Sequence, residues 1–580
     1  MKKTLKKGVA LCMAVFATAS CFAACGDVEE EYDPNKTQLY VKVFNGGAGT
    51  AWIETLRDEF NKNNDEYEVI LRYEKISASS VINEIELDTA TSDIYFTSEI
   101  QFQSGIYKDY FEDLTDVLDT KVDGENGKTI GEKMQNAENW KKMASKNGQG
   151  CYVLPYLDAI MGFVYNHDMF VENGWLSFAG EEDEDALAAQ GITFEVAANS
   201  NLIFKSSTGV TNYEEGDYIL TAGKDGKYGT YDDGQPTTEE EFDNMIEDIT
   251  LGNKKAKAYV YAGLYDQYSN HIVNAIAAQY VGPTTFNNML QYDTKGEVLE
   301  MHSGDDKAIT FEKGYEVYDA QGIYEGLRFA DKNLNDQTIV DANSFKVASY
   351  SHTDAQNDFL LGYKKAEGYP AMLVEGVWWE NEARAMFNTI AESGYPDRGF
   401  GKQDYRYMLM PAIEGQKGID GQGNGTVFSA SDTGGIVMKK QTDAAKLAKL
   451  KEFLCMTLTE EVLVNFTKTT GINRPFDYTL SQADLAEMTP FARNVYNIYN
   501  DKENIKIIRP EVTLYAQPIT FTSSMDSRFL PLRVGTTIYA SYVRSVRLAG
   551  GLENALASIP YDQAKWDTFI SDAKSQGFYQ

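Results

Sequence analysis

The stretch QLYVKVFNGGAGTAWIETLRDEF, residues 38–60, decides the fold. Leu39, Val41 and Val43 alternate with a polar set and stop at Asn45-Gly46-Gly47, the pattern of a strand entering a tight turn. Trp52, Ile53, Leu56 and Phe60 then recur at helical spacing. Working outward, Val69 to Tyr73 reads as a second strand, Val81, Ile82, Ile85 and Leu87 as a helix, and Asp93 to Phe96 as a third strand. Strand, helix, strand, helix, strand predicts an α/β fold with a parallel sheet covered by helices. Ligands of such sheets bind beyond the carboxyl ends of the strands, which puts Asn45 and Gly46, and Ser98 and Glu99, at the rim of a site.

Farther along, Tyr152 to Tyr156 is extended and ends at its proline, and Ile160 to Asn166 is a second apolar strand. Residues 180–260 are acidic, glycine-rich and poorly periodic, and read as an insertion. Residues 271–280 and 322–332 read as helices. Ala371 to Val374 is a short buried strand ending at Glu375-Gly376, residues 412–426 are a glycine-rich loop, and Gly435 to Met438 is a strand. Residues 443–466 form an amphipathic helix pair with Leu447, Leu450, Phe453, Leu454 and Leu463 on the apolar side.

The chain of 580 residues is long enough for two lobes with cores of their own. Its formal charge is −34, which disfavours nucleic acid and anionic membranes as partners. Tyrosine is abundant at 37 residues, and its flat apolar face with a polar tip suits binding surfaces as well as cores. Of five cysteines only Cys151 and Cys455 lie in the globular part, too few and too far apart for a disulfide framework or a zinc site. The four histidines, His167, His271, His302 and His352, are scattered without metal-ligand spacing. No G-x-S-x-G, H-E-x-x-H or phosphate loop occurs.

The amino-terminal segment is an address. Lys2, Lys3, Lys6 and Lys7 precede an apolar run from Val9 to Ala19, too short to span a bilayer as a permanent helix. Phe22-Ala23-Ala24-Cys25 resembles the lipobox of bacterial lipoproteins, with Phe22 where leucine is usual. The resemblance implies removal of residues 1–24, a lipid on Cys25, and an acidic tether over 25–37. The membrane is then touched only through that anchor, with the protein on the extracellular face.

Several segments in order resemble the extracellular solute-binding proteins of family 1, the group of the maltose-binding protein. They are the Leu39 to Phe60 opening, Leu154-Pro155-Tyr156 with Gly162 to Asn166, Gly368 to Trp379, Thr433 to Ile436, and Thr470 to Pro475. The resemblance spans about residues 38–480. It implies two lobes joined by hinge crossovers: residues 38–155 with about 430–480, and residues 156–429 with about 481–580, the latter carrying the insertion. It also implies capture of a sugar, an oligosaccharide in the first instance, and delivery to the transmembrane subunits of an ABC importer, with no catalysis and no required cofactor.

A sugar offers C–H faces for aromatic stacking and a rim of hydroxyls for planar polar groups. By the resemblance Trp378 is the stacking residue. Trp379, Tyr156 and Asp158 past the crossover, Glu99 and Ser98, Asn45 and Gly46, Asp432 and Thr433, and Asn473 and Arg474 complete the candidate set. Asp225, Asp232 and Asp233 sit on a glycine-rich loop whose oxygens could hold a structural Ca²⁺, although the spacing is not that of an EF-hand. A lipid-anchored glycoside hydrolase with two carboxylates on a cleft, and a non-catalytic surface adhesin, are the rival readings.

Overall fold

A computed structural model describes residues 32–575, apart from 45, 192–218, 253–254, 366, 517–531, 535–536 and 560. The expected signal segment, Cys25 and Asn45 therefore lie outside the described residues. The chain opens as β1 (Thr37–Phe44), α1 (Ala51–Asn63), β2 (Tyr67–Glu74), α2 (Ala78–Glu86) and β3 (Ile94–Phe96). β1 pairs in parallel with β2 on one side and β3 on the other. The apolar stripe of α1, Trp52, Ile53, Leu56 and Phe60, is buried as its spacing requires. Ser77 starts α2 by accepting the Ser80 N–H.

The rest of the sheet is built from β4 (Leu154–Asn166), followed by α3 (His167–Asn173); β5 (Lys257–Tyr261), followed by a 3₁₀ segment (Gly263–Ser269) and α4 (Asn270–Val281); β6 (Pro370–Gly376); β7 (Tyr405–Met408); β8 (Thr426–Met438); and β9 (Ile505–Ile508), followed by α5 (Pro510–Tyr515). The strand order is β2-β1-β3-β8-β4-β6-β5, with β9 paired to β8 and β7 to β4.

Two strands of 13 residues join the halves. β8 pairs with β3 through Ile436–Met438 and with β9 through Thr426–Ser429. β4 pairs with β8 from Leu154 to Met161 and with β6 from Met161 to Tyr165. Each strand thus begins in one lobe and ends in the other. Their shared register shifts between Ala430 and Asp432 and again between Thr433 and Gly435. These irregularities lie where the lobes meet, the place for bending.

One core gathers Leu39, Trp52, Phe96, Tyr156, Phe453 and Phe466, and runs on through Trp379, Phe387 and Tyr405. The other gathers Phe163, Tyr259, Ile276, Phe329, Met372 and Trp566.

Three expectations are corrected. Residues 152–156 and 160–166 are not two strands: β4 runs unbroken through Pro155, which stands opposite Gly435 beside a register shift, where a missing N–H costs no ladder bond. The strand expected at Gly435 begins at Thr426. The acidic insertion contains a 13-residue helix, Glu239–Leu251, started by a Thr238/Glu241 capping box and burying Phe242, Met245, Ile246 and Ile249.

Candidate functional site

The carboxyl end of β3 and the amino end of α4 face each other across a cavity of about 420 Å³. The first lobe contributes Asn83, Glu99, Gln101 and Ser104; the second contributes Asn270, His271 and Asn274; Ala430 of the crossover forms the floor. α5 closes one side with Glu511, Leu514 and Tyr515. Most of these groups are amides and hydroxyls, which hydrogen-bond neutral polar solutes in either direction.

The elements hold the polar groups in place. Glu99 accepts the Ala78 N–H at 2.8 Å, so the amino end of α2 orients its carboxylate. Asn270 is spent on structure: its Nδ2 donates to the Ala540 carbonyl and its Oδ1 accepts the Tyr542 N–H. His271 Nδ1 lies 3.1 Å from the Ser429 hydroxyl, linking α4 to the crossover. Asn274 is buried, and its Oδ1 has no hydrogen-bond partner among the described residues. A buried amide oxygen left unpaired costs about 1–3 kcal/mol, so a donor is called for at this wall.

Trp378 stands where the two lobes touch. Its indole folds over Gly376, where a Cβ would fall 2.3–2.5 Å from the ring, so only glycine fits there. Gly47 of the β1–α1 turn packs on its other side; a Cβ on Gly47 would come to 2.9 Å from that of Trp378. Tyr268 meets the indole edge-on at 6.1 Å, and Tyr265 stacks on Tyr268 at 5.9 Å with an interplanar angle of 17°. His352 lies 5.4 Å from Tyr265.

Beneath this aromatic row runs a buried polar chain. His352 Nε2 lies 3.1 Å from Glu382 Oε1, and Gln356 Nε2 donates to Glu382 Oε2 at 2.8 Å and reaches Glu375 at 3.4 Å. Glu375 is fully buried and accepts its neighbour Gly376 N–H. Burial and the adjacent Glu382 push its carboxyl up to about 8. Glu382 holds the His352 imidazole above its ordinary range.

The remaining candidates fall elsewhere. Tyr156 is sealed in the first core against Trp52, Phe96 and Phe466 and presents no ring face to the cavity. Trp379 is packed among Phe359, Phe387, Tyr405 and Phe491. The carboxylate of Asp158, wholly buried, is taken by Arg509. Thr433, opposite Asp158, is buried within the ladder, and Asp432 falls in β8 opposite Ala159. Asn473 uses its carbonyl to accept the Asp158 N–H, and Arg474 sits among Trp52, Tyr156, Phe466 and Phe476 while donating to the Thr457 carbonyl. Both border a separate cavity behind the hinge. Gly46 lies against Phe44, and Ser98 is half-buried one residue before Glu99. Of the expected set, then, Glu99 lines the cavity and Trp378 stands at the lobe contact.

In the acidic loop, Asp232 accepts the N–H groups of Lys224 and Asp225, and Asp233 those of Gly229 and Thr230. The Lys224 ammonium reaches the Met410 carbonyl and the Thr426 hydroxyl at the start of β8, and burial lowers it to about 7. These carboxylates shape a turn that docks on the crossover.

Sequence reading missed Asn83, Gln101, His271, Asn274, Tyr265 and Tyr268. The available signal was Tyr265 and Tyr268 three apart, directly after the strand that ends at Tyr261, the same position relative to a strand end that drew attention to Glu99.

No protein-family profile and no curated protein sequence matches the chain. Solved structures do. A chitin oligosaccharide binding protein superimposes with a TM-score of 0.52 at 13% identity, covering 93% of this chain and 100% of that one. The sugar-binding protein MalE from Xanthomonas citri gives 0.51 at 13% identity, covering 94% and 100%. At such identities the likeness is one of fold. The chain shares the two-lobed, periplasmic-binding-protein-like α/β architecture. No helix among the described residues is long and apolar enough to cross a membrane.

Proposed function

We propose that this chain is a family 1 solute-binding protein, which holds a neutral sugar between its lobes and presents it to the transmembrane subunits of an ABC importer. It works as a lipoprotein, anchored outside the cell through Cys25, and performs no chemistry on its cargo. The observation that carries the reading is the cavity between α2, β3 and α4. It draws amides and hydroxyls, together with the carboxylates of Glu99 and Glu511, from both lobes, has an unsatisfied amide oxygen in its wall, and is bordered by Ala430 of the crossover strand. Its size falls in the range of small-ligand sites, roughly 300–1,000 Å³. The tyrosines beside Trp378 add ring faces at the lobe contact, which suits an oligosaccharide over a single ring.

Ligand contacts made to both lobes favour the closed arrangement over the open one. A thermal-shift screen of neutral mono- and oligosaccharides, followed by small-angle scattering with the best ligand, tests this. A sugar that raises the melting temperature also compacts the protein. Failure of every sugar to do either overturns the proposal. Trp378→Ala weakens binding of that sugar about tenfold by calorimetry, the size of one lost aromatic contact of about 1.4 kcal/mol. Unchanged affinity removes Trp378 from the site.

A further inference from the structure

His167, Asp168 and Asp404 come together at the far end of β4, outside the cavity and the aromatic row. Each offers one ligand atom, and these atoms lie within 4.8 Å of one another. Asp404 is held there because its carbonyl accepts the His167 N–H at 2.8 Å, tying the start of α3 to the residue before β7. His167 Nδ1 stands 3.8 Å from Asp404 Oδ2, too far for a hydrogen bond. Its Nε2 is buried without a partner among the described residues.

We propose that this cluster is a site for a divalent transition-metal ion of the Zn²⁺ class, fixing the junction of β4, α3 and β7. A four-coordinate ion at about 2.0–2.2 Å from each ligand sets the ligand atoms roughly 3.4 Å apart, a little closer than they stand here, so small side-chain rotations complete the site. One imidazole nitrogen with two carboxylates suits Zn²⁺ or its neighbours, whereas Ca²⁺ and Mg²⁺ take oxygen ligands. Water fills the fourth position.

Arg406 competes with the ion for Asp404, donating to Oδ1 through Nε at 3.1 Å and to Oδ2 through Nη2 at 2.7 Å. It is shared: it also donates to the Tyr231 carbonyl of the insertion and feels Asp233. With Glu172 near Asp168 as well, the neighbourhood holds more negative than positive charge. The same ion therefore steadies the edge on which the insertion docks.

The test is titration of the untagged full chain with Zn²⁺ by calorimetry, with Co²⁺ as a visible-absorption probe. Expected are one ion per chain, the strong d–d bands of four-coordinate Co²⁺, and a rise of a few degrees in melting temperature with Zn²⁺ but not Ca²⁺. His167→Ala and Asp168→Asn each weaken binding tenfold or more, while His302→Ala, at a distant surface, does not. Asp168 is exposed, so its variant keeps the test open if His167→Ala folds poorly. Absence of micromolar Zn²⁺ binding, or equal binding by Asp168→Asn, overturns the assignment.

Discussion

Asp158→Ala is expected to cost about 3–5 kcal/mol of stability, because it strands a buried guanidinium. Asp158 lies on β4 at the crossing, wholly buried, and Arg509 donates to its Oδ2 through Nε at 2.9 Å and through Nη2. Arg509 has a second bond to Gln135, and Tyr499 donates its hydroxyl to the Asp158 carbonyl. Burial pushes the Asp158 carboxyl up and Arg509 opposes it. Removing one partner leaves the other charge in a poorly solvated place, the costly half of such a pair. Replacing both, with Asp158→Leu and Arg509→Met together, returns most of the loss, since the pair itself is worth little against apolar packing of similar volume. Thermal melts of the single and double variants check this. A single variant that melts with the wild type shows that water reaches Arg509 and that the hinge is not sealed.

Glu375→Gln is expected to stabilise the protein at alkaline pH by an amount on the order of a few kcal/mol. The folded state keeps the Glu375 proton up to about pH 8, whereas an unfolded glutamic acid loses it near its ordinary value of 4.5. Between those two values the native chain binds the extra proton, so stability falls as pH rises from about 4.5 to about 8 and then levels. The raised imidazole of His352 adds a drop of the same sign as pH rises through its folded value. Glutamine is neutral throughout, keeps an oxygen for the Gly376 N–H, and removes the larger part of the slope. Melting temperatures of both proteins at pH 5.5, 7 and 8.5 test it. Parallel curves would mean that Glu375 ionises freely. The cluster underlies the tyrosines beside Trp378, so sugar affinity is expected to follow the same pH trend in the wild type.

The opening βαβαβ unit was legible because its apolar stripes face a single core, so period and burial agree except at Leu87, which lies past the end of α2 and is exposed. The crossings were harder. β8 is buried along most of its length and includes Asp432, Thr433, Gly434 and Gly435, so no alternation marks it, and the glycine-rich stretch before it hides its start. The helix over 239–251 carried its own cap and stripe, but acidic neighbours masked them. Of the site, Trp378 could be read because a strand and a glycine precede it. Asp158, Tyr156 and Trp379 could not be placed, since their partners, Arg509, Trp52 and Tyr405, lie hundreds or at least tens of residues away. The same distance hid Asp404 from His167.

The paired long strands at the crossing also set a limit on how this molecule can be re-engineered. Since residues 154–166 and 426–438 each belong to both halves, no single cut releases one half whole. A gene ended before residue 154 strips β3 of its neighbour Ile436–Met438 and leaves a bare sheet edge, an invitation to aggregation. A biosensor made from this protein is therefore better built by grafting a reporter into the surface loop between Gly415 and Gly425 than by splitting the chain.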